Sequence, residues 1–398
     1  MLNVFTPYRV CPLGAHVDHQ LGQVTGFAID RGVRLEFEIT NNGEFEVCSK
    51  NYPGVVKFNV CEEYEREMTW GDFLKAAIIA LSRKYDIKNG IKGVVEGSLP
   101  VGGLSSSSAV ILTYLNALCI ANHIHLTENE MINNAMWAEK NYIGVNVGRL
   151  DQSCEVYCKK DSLLYLDTLD NSNEIIPINK KMKPFEIMIV FSGRERQLAG
   201  SAYNIRVDEC KAAAYALQAY AEMDYKEFST AVLRKIPIGI YKEYRTKLPE
   251  NWRKRADHFF GEKLRVTEGI KAWKEGNLDK FGQLMFESGR SSIELYETGS
   301  SNLKDLQDIF ENTDGIYGGR FSGAGFNGSS IALVDPQKED IIKENVYKKY
   351  ISKYPELNEK IKIIFVNTAD GMELNYDLMY YFSSRICNKI ISINRKLS

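Results

Sequence analysis

The chain has 398 residues, 44% hydrophobic and 26% charged, a length that suggests two or three domains or one large one. Lys+Arg 50 against Asp+Glu 52 leaves a net charge of −2, which argues against nucleic-acid and membrane-surface partners and against a self-repelling disordered chain. The longest apolar clusters, such as Ala76–Leu81 and Ala109–Leu112, fall far short of the roughly 18–20 residues of a membrane span. The start, Met1-Leu-Asn-Val-Phe-Thr-Pro, lacks the basic and apolar regions of a secretory signal. Cys11, Cys48, Cys61, Cys119, Cys154, Cys158, Cys210 and Cys387 show neither zinc-type pairing nor scaffold density, so a cytoplasmic protein with reduced thiols is expected.

In chain order, Val33, Leu35, Phe37 and Ile39 alternate with Arg34, Glu36, Glu38 and Thr40, which predicts a strand. Asn41-Asn42-Gly43 is a turn signal and Phe45 and Val47 resume the alternation, which predicts a hairpin. Phe73, Leu74, Ala77, Ile78 and Leu81 have helical spacing. Ala109–Asn122, free of Gly and Pro, reads as a buried helix, and Glu128–Tyr142 as another. Asp170–Lys183 is polar and turn-rich, and the apolar run Phe185–Phe191 follows. A domain boundary is expected there. The second half reads as mostly helical from Ser201 to about Phe310, with strands at Ser330–Val334 and Ile361–Val366. The tail Asn375–Ser398 carries Arg385, Lys389, Arg395 and Lys396 against Asp377; it reads either as a packed amphipathic helix or as a solvated, partner-binding tail.

Three segments carry chemistry. Leu99-Pro-Val-Gly-Gly-Leu-Ser-Ser-Ser-Ser-Ala109 exposes backbone N–H groups where a helix begins, an arrangement that favours phosphate. Gly318-Gly-Arg-Phe-Ser-Gly-Ala-Gly-Phe-Asn-Gly328 contains Gly-x-Gly-x-x-Gly, but a strand follows rather than a helix, so a turn supporting another loop is expected instead of a dinucleotide site. A P-loop and the His-Arg-Asp and Asp-Phe-Gly motifs of protein kinases are absent. Arg9-Val-Cys-Pro-Leu-Gly-Ala-His-Val-Asp-His-Gln20 gathers one Arg, two His and one Asp. With His123, His125 and His258 as the only other histidines, transition-metal ligation is disfavoured, and contact with a hydroxyl-rich ligand is expected.

In their order and spacing these segments resemble the GHMP family of small-molecule kinases. Arg9–Gln20 is similar to the galactokinase signature, Leu99–Ala109 to the family's phosphate loop, and Gly318–Gly328 to its C-terminal glycine motif. Ala138-Glu139 with Gly148-Arg-Leu-Asp-Gln152 resembles the base-bearing segment, and Ser192–Cys210 the start of the C-terminal domain. The likeness runs from about Phe5 to Leu374. Within the family, Cys11–Gln20 follows the galacturonokinase branch (Cys-Pro-Leu-Gly-Ala-His-x-Asp-His-Gln), where galactokinases have Gly-Glu-His-Thr-Asp-Tyr. Tyr203-Asn-x-Arg-Val-x-Glu-Cys210 and Ala256-Asp-His-Phe-Phe260 are also similar to that branch.

The resemblance implies a two-domain α+β fold. Residues 1–184 would form a ribosomal-S5-like α/β domain, 185–374 a ferredoxin-like α+β domain and 375–398 an extension, with the ligands in the cleft between domains. It implies a sugar 1-kinase using ATP and Mg²⁺, with a small-molecule sugar (uronate or hexose) and ATP as partners and the oligomeric state open. Asp151 would act on the anomeric hydroxyl and Arg9 would pair with it. Ser108, or Ser107 given the extra serine of this loop, would hold Mg²⁺ with Glu139. Gly102, Gly103, Ser105, Ser106, Ser107 and Ser108 would cradle the phosphates. Trp70 would lie near the adenine, or would be a core residue. Ala15, His16, Asp18, Gly148 and Tyr203 would face the sugar.

Ala15 stands where galactokinases carry the Glu that contacts the C6 hydroxyl. Its smallness leaves room for a C6 carboxylate that a Glu would repel, which favours galacturonate over galactose. A partner for that carboxylate is still needed, and His16, His19, Arg194 and Arg196 are candidates. An ungapped match puts Glu195 where galactokinases have Arg, which leaves the register of Arg194 and Arg196 open. A galactokinase, or a non-catalytic sugar and ATP sensor, is the alternative.

Overall fold

The computed structural model describes residues 1–100, 102–145, 148–194, 200–224 and 227–374, without the side chains of 200–202. The tail 375–398, Glu195 and Arg196 lie outside the described residues. The first part of the chain runs β1 (Leu2–Val10), β2 (Gln23–Thr40), β3 (Glu44–Ser49), β4 (Val55–Asn59), α1 (Asp72–Ser82), β5 (Gly90–Gly97), α2 (Ser106–Ala121), α3 (Glu128–Trp137), α4 (Leu150–Tyr157), β6 (Ser162–Asp167) and β7 (Asn173–Pro177). The rest runs β8 (Glu186–Phe191), α5 (Gly200–Tyr220), α6 (Ile238–Tyr244), α7 (Glu250–Glu275), α8 (Leu278–Glu294), α9 (Ser301–Glu311), β9 (Ile316–Phe321), β10 (Ser329–Val334), α10 (Glu339–Lys353), β11 (Lys362–Val366) and β12 (Thr368–Ala369). It is an α+β architecture.

An eight-stranded sheet has the order β4-β3-β5-β2-β6-β7, with β1 and β12 also on β2; a four-stranded sheet has the order β11-β8-β10-β9. The long strand β2 carries the predicted alternation, with Leu35 and Phe37 fully buried. The predicted hairpin does not form. The turn at Gly43 is present, but β5 lies between β2 and β3, antiparallel to one and parallel to the other. Glycines make the insertion possible: a Cβ on Gly90 would meet the Glu44 carbonyl at 2.0 Å, and one on Gly93 the Glu36 carbonyl at 2.3 Å. Several strands, among them β1, β5 and β6, have no counterpart in the sequence reading, and two lie in segments read as turns. β7 lies inside the polar stretch at 170–183, and β9 occupies the front half of the glycine-rich segment.

Helix α2 is buried almost all round, as expected for the stretch 109–122, and its Thr113 and Asn116 are buried with the apolar residues. A capping box of Thr127 and Glu130 starts α3. The helix runs on into a π-helical turn at Ala138–Ile143, so the predicted helix 128–142 changes register where Glu139 sits. The main core joins both sheets: Phe27 of β2 meets Trp273 of α7 at 5.4 Å between ring centroids, and Ile187, Ile189 and Ile331 belong to the same cluster. The short strand β12 returns the chain to the first sheet. No helix among the described residues is long and apolar enough to cross a membrane.

Candidate active site

A cavity of about 370 Å³ opens where the two sheets' loops meet. Its walls come from β1 and the loop after it, the start of α2, the turn before α4, the start of α5, and the β9–β10 loop. Every one of these is a chain end of a strand or helix, where side chains and free N–H groups can face a ligand.

Arg9 and Asp151 form its charged centre. Arg9 ends β1 and is buried; Asp151 lies in the first turn of α4. The Arg9 Nε donates to Asp151 Oδ1 at 2.8 Å and its Nη2 lies 2.7 Å from the same oxygen. Nη1 donates to the Gly103 carbonyl at 3.0 Å, tying this pair to the glycine- and serine-rich segment. Burial works against the guanidinium charge, but Asp151 holds it firmly protonated.

The glycine- and serine-rich segment wraps the start of α2. Gly103 has φ +77°, and a Cβ there would meet the Ser322 carbonyl at 2.4 Å. The β9–β10 loop supports the segment from behind, as the sequence predicts for it. Ser322 Oγ donates to the Gly103 carbonyl at 2.7 Å and Ser329 Oγ to the Gly102 carbonyl at 2.6 Å. Ser105 is in the left-handed region at φ +67° and lies next to α2. Gly103, Ser105, Ser106 and Ser107 line the cavity; Gly102 lies one step behind.

Ser108 differs from the expectation. It is fully buried, and its hydroxyl donates to Glu155 and meets the Ser105 hydroxyl at 2.8 Å. The cause is helical rotation: about 100° per residue turns Ser108 inward against α4 while Ser107 stays at the cavity. Ser107, not Ser108, hydrogen-bonds Glu139. Glu139 also accepts from Gln152 and is buried. Burial, then the charge of Asp151, raises its carboxyl to about 7. This hydroxyl and carboxylate are hard oxygen donors, a set that fits Mg²⁺ sharing its sphere with phosphates and water. Among the described residues no cluster of three or more His, Cys, Asp or Glu forms a protein-only metal cage.

Ala15, His16, Asp18, Gly148 and Tyr203 all line the cavity. The His16 ring stacks on Tyr296 at 4.5 Å and 5°. Burial, then the charge of Arg320, keeps His16 neutral. Burial, then Asp151, raises Asp18 to about 6. Gly148 lets Asp18 approach: a Cβ there would lie 1.9 Å from Asp18 Oδ2. The Ala15 backbone is pinned from the other sheet's helices, with His258 Nε2 at 3.0 Å from its carbonyl and the Gly14 N–H donating to Glu262 at 2.8 Å.

Besides Gly102 and Ser108, the candidates Glu139, Trp70, His19 and Arg194 are not part of the cavity wall. Trp70 packs at the edge of the core and donates to the Pro53 carbonyl at 3.2 Å; Phe73 lines the cavity instead. His19 meets the Tyr296 hydroxyl at 3.0 Å. Arg194 pairs with Glu356 at 2.9 Å. The sequence reading missed two wall or support residues. Arg320 lines the cavity, and its signal was an arginine inside the glycine motif, read only as a turn. Glu155 lies in α4, one turn beyond Asp151, and contacts the loop through Ser108.

Comparison with known proteins follows this geometry. The GHMP kinases N-terminal domain matches residues 72–159 and the GHMP kinases C-terminal domain residues 270–352. The chain is 36% identical over 389 residues to a galacturonokinase of Arabidopsis thaliana, covering 92% of this chain and 89% of that protein. It is 31% identical over 377 residues to a galactokinase of Thermotoga neapolitana, covering 94% and 99%. The solved Lactococcus lactis galactokinase complexed with galactose superposes with a TM-score of 0.85 at 26% identity, over 93% of this chain and 94% of that one. Methanococcus jannaschii mevalonate kinase, at TM-score 0.62 and 17% identity over 93% and 98%, is similar in fold alone.

Proposed function

We propose a reaction from one premise: the chain belongs to the GHMP kinase family and is a sugar kinase, a phosphotransferase with an alcohol group as acceptor. Kinase kinship implies ATP as the phosphoryl donor. The reaction is transfer of the γ-phosphoryl group to the anomeric C1 hydroxyl of galacturonic acid, giving galacturonate 1-phosphate and ADP.

The observation that carries the substrate is Ala15 in the cavity wall. A glutamate at that place would set two carboxylates close together, and like charges are costly wherever the bound sugar displaces water. The likeness to a galacturonokinase along nearly the whole chain supports the same reading.

Asp151 accepts or orients the C1 hydroxyl proton, and Arg9 fixes its oxygen and adds positive charge beside the transferring group. Phosphoryl transfer has a loose transition state, so position and electrostatics matter more than base strength. The N–H groups of the loop from Gly103 to Ser107, at the positive end of α2, receive the phosphates. Ser107 and Glu139 would hold Mg²⁺, which neutralises charge on the phosphates when bound. His16, Asp18 and Tyr203 hold the sugar ring, and Gly148 admits Asp18 to it.

Coupled ADP release with Mg-ATP tests this reading. The expected result is a kcat/KM for galacturonate well above that for galactose. The reverse order would discard the uronate substrate and keep a galactokinase. Binding of sugar and ATP without ADP formation would point to a sensor.

A further inference from the structure

We infer that Arg320 is the residue that binds the C6 carboxylate of the sugar, an inference that rests on the uronate reading above. Arg320 lies on β9 and lines the cavity together with Ala15, Cys11 and His16. Its side chain is fully buried, at 1% exposure. Its hydrogen bonds go to neutral acceptors: Nε to the Phe321 carbonyl at 3.1 Å, Nη2 to Ser292 Oγ at 3.0 Å, and Nη1 to Ser288 Oγ. These use three of the five N–H groups of a guanidinium. No carboxylate among the described residues lies within 4 Å of it.

The surrounding charges are already committed. Arg9 holds Asp151. Glu262 has Arg265 at 2.7 Å; against the opposing effect of burial, Arg265 first, then His258 and Arg320, hold its carboxyl down to about 2. His16 and His258 are kept neutral, chiefly by burial. Asp18, the other acid of the cavity wall, accepts from the backbone N–H groups of Leu150 and His19. Arg320 is therefore a buried cation with no carboxylate in direct contact: burial lowers its affinity for the proton, and Glu262, the acid that opposes this, reaches it only through Ser288 and also pairs with Arg265. A buried charge without a partner is costly, and an anion entering the cavity relieves that cost.

The same network ties Arg320 to the position of the missing glutamate. Arg320 bonds Ser288, Ser288 donates to Glu262 Oε1 at 2.6 Å, and Glu262 accepts from the Gly14 N–H. Gly14 precedes Ala15. A protein carboxylate is absent at Ala15, a cation is present beside it, and the substrate supplies the negative charge that fits the planar fork of the guanidinium. Neutral galactose offers a hydroxyl there and leaves the charge unpaired.

The test is steady-state kinetics of wild type, Arg320→Met and Arg320→Lys with galacturonate and galactose, with folding checked by thermal melts. Arg320→Met is expected to lower kcat/KM for galacturonate at least about a hundredfold more than that for galactose, chiefly through KM. Arg320→Lys keeps the charge but loses the fork, and is expected to retain part of the galacturonate preference. Equal losses on both sugars would make Arg320 a structural tie between β9 and α8 and overturn the inference. If the Met variant does not fold, the Lys variant decides: a galacturonate KM raised at least about tenfold more than that for galactose supports the assignment, and parallel effects overturn it. A wild type that uses galactose and not galacturonate overturns the substrate reading, and this inference with it.

Discussion

Asp151 and Ser107 are small parts with separable effects. Asp151→Asn keeps the shape of the side chain but removes the charge that Arg9 holds at 2.7 Å. The expected loss in kcat is about 10²–10⁴-fold with little change in KM for the sugar, measured by ADP release; near-wild-type turnover would remove Asp151 from the reaction. The two adjacent serines should differ in kind. Ser107→Ala takes an oxygen from beside Glu139, so the Mg²⁺ concentration for half-maximal rate should rise. Ser108→Ala instead leaves Glu155 with one hydrogen bond fewer, and Oε1 of that buried carboxyl already has no partner. It should lower stability by about 1–3 kcal/mol without raising the Mg²⁺ requirement, as thermal melts and Mg²⁺ titrations would show. A serine run in a sequence does not reveal which hydroxyl faces a ligand. The 100° step between neighbours on a helix decides it, and only after the helix start is fixed.

At the scale of elements, the two glycine-rich segments form one device. Gly103 and Gly323 both have positive φ, and a Cβ on Gly323 would meet Gly103 Cα at 2.7 Å. The loop at Gly102 and Gly103 thus lies on a second loop about two hundred residues further along, bonded through Ser322 and Ser329. Gly103→Ala would impose the left-handed cost of about 1–2 kcal/mol and a clash with the Ser322 carbonyl. The expected result is a fall in kcat/KM for ATP larger than that for the sugar, with a modest loss of thermal stability. Equal falls would mean that the loop does not serve the nucleotide side. The sequence predicted a supporting turn at Gly318–Gly328 but not β9, because a strand with two glycines has little apolar alternation to read. It predicted a hairpin where β5 intervenes, because turn signals report local chain reversal and not which strand fills the gap.

At the scale of the molecule, a cluster of imidazoles, His16 and His258 buried and His19 half-buried, joins the two sheets' helices to the loop after β1. His258 on α7 bonds both Ala15 and Ser291, and burial pushes it down to about 4; burial pushes His19 to about 3. An unfolded chain protonates these groups below about 6.5, while the folded protein refuses the proton. Their stabilising contribution is therefore present above that pH and lost as pH falls towards about 4 for His258. Asp18 and Glu139, raised to about 6 and about 7, act in the opposite sense, since their contribution is lost as pH rises. A difference measurement separates the two. The melting-temperature gap between wild type and His258→Gln should narrow from pH 7.5 to pH 5. A constant gap would show that His258 does not titrate in this window.

The sequence by itself determined where the small-residue loops lie and which helices they precede. Those signals are local: small residues before an apolar run, an arginine and an aspartate in short polar motifs, and helical spacing that survives in any context. It also carried the kinship to the GHMP kinases in three ordered segments. Only the tertiary structure decided the rest. It set β5 between β2 and β3, turned Ser108 away from the cavity, left Trp70 outside it and brought Arg320 into its wall. Each of these depends on which surfaces meet across some tens to hundreds of residues. A side chain's burial and the distance to its counter-charge are properties of that meeting, and no stretch of sequence contains them.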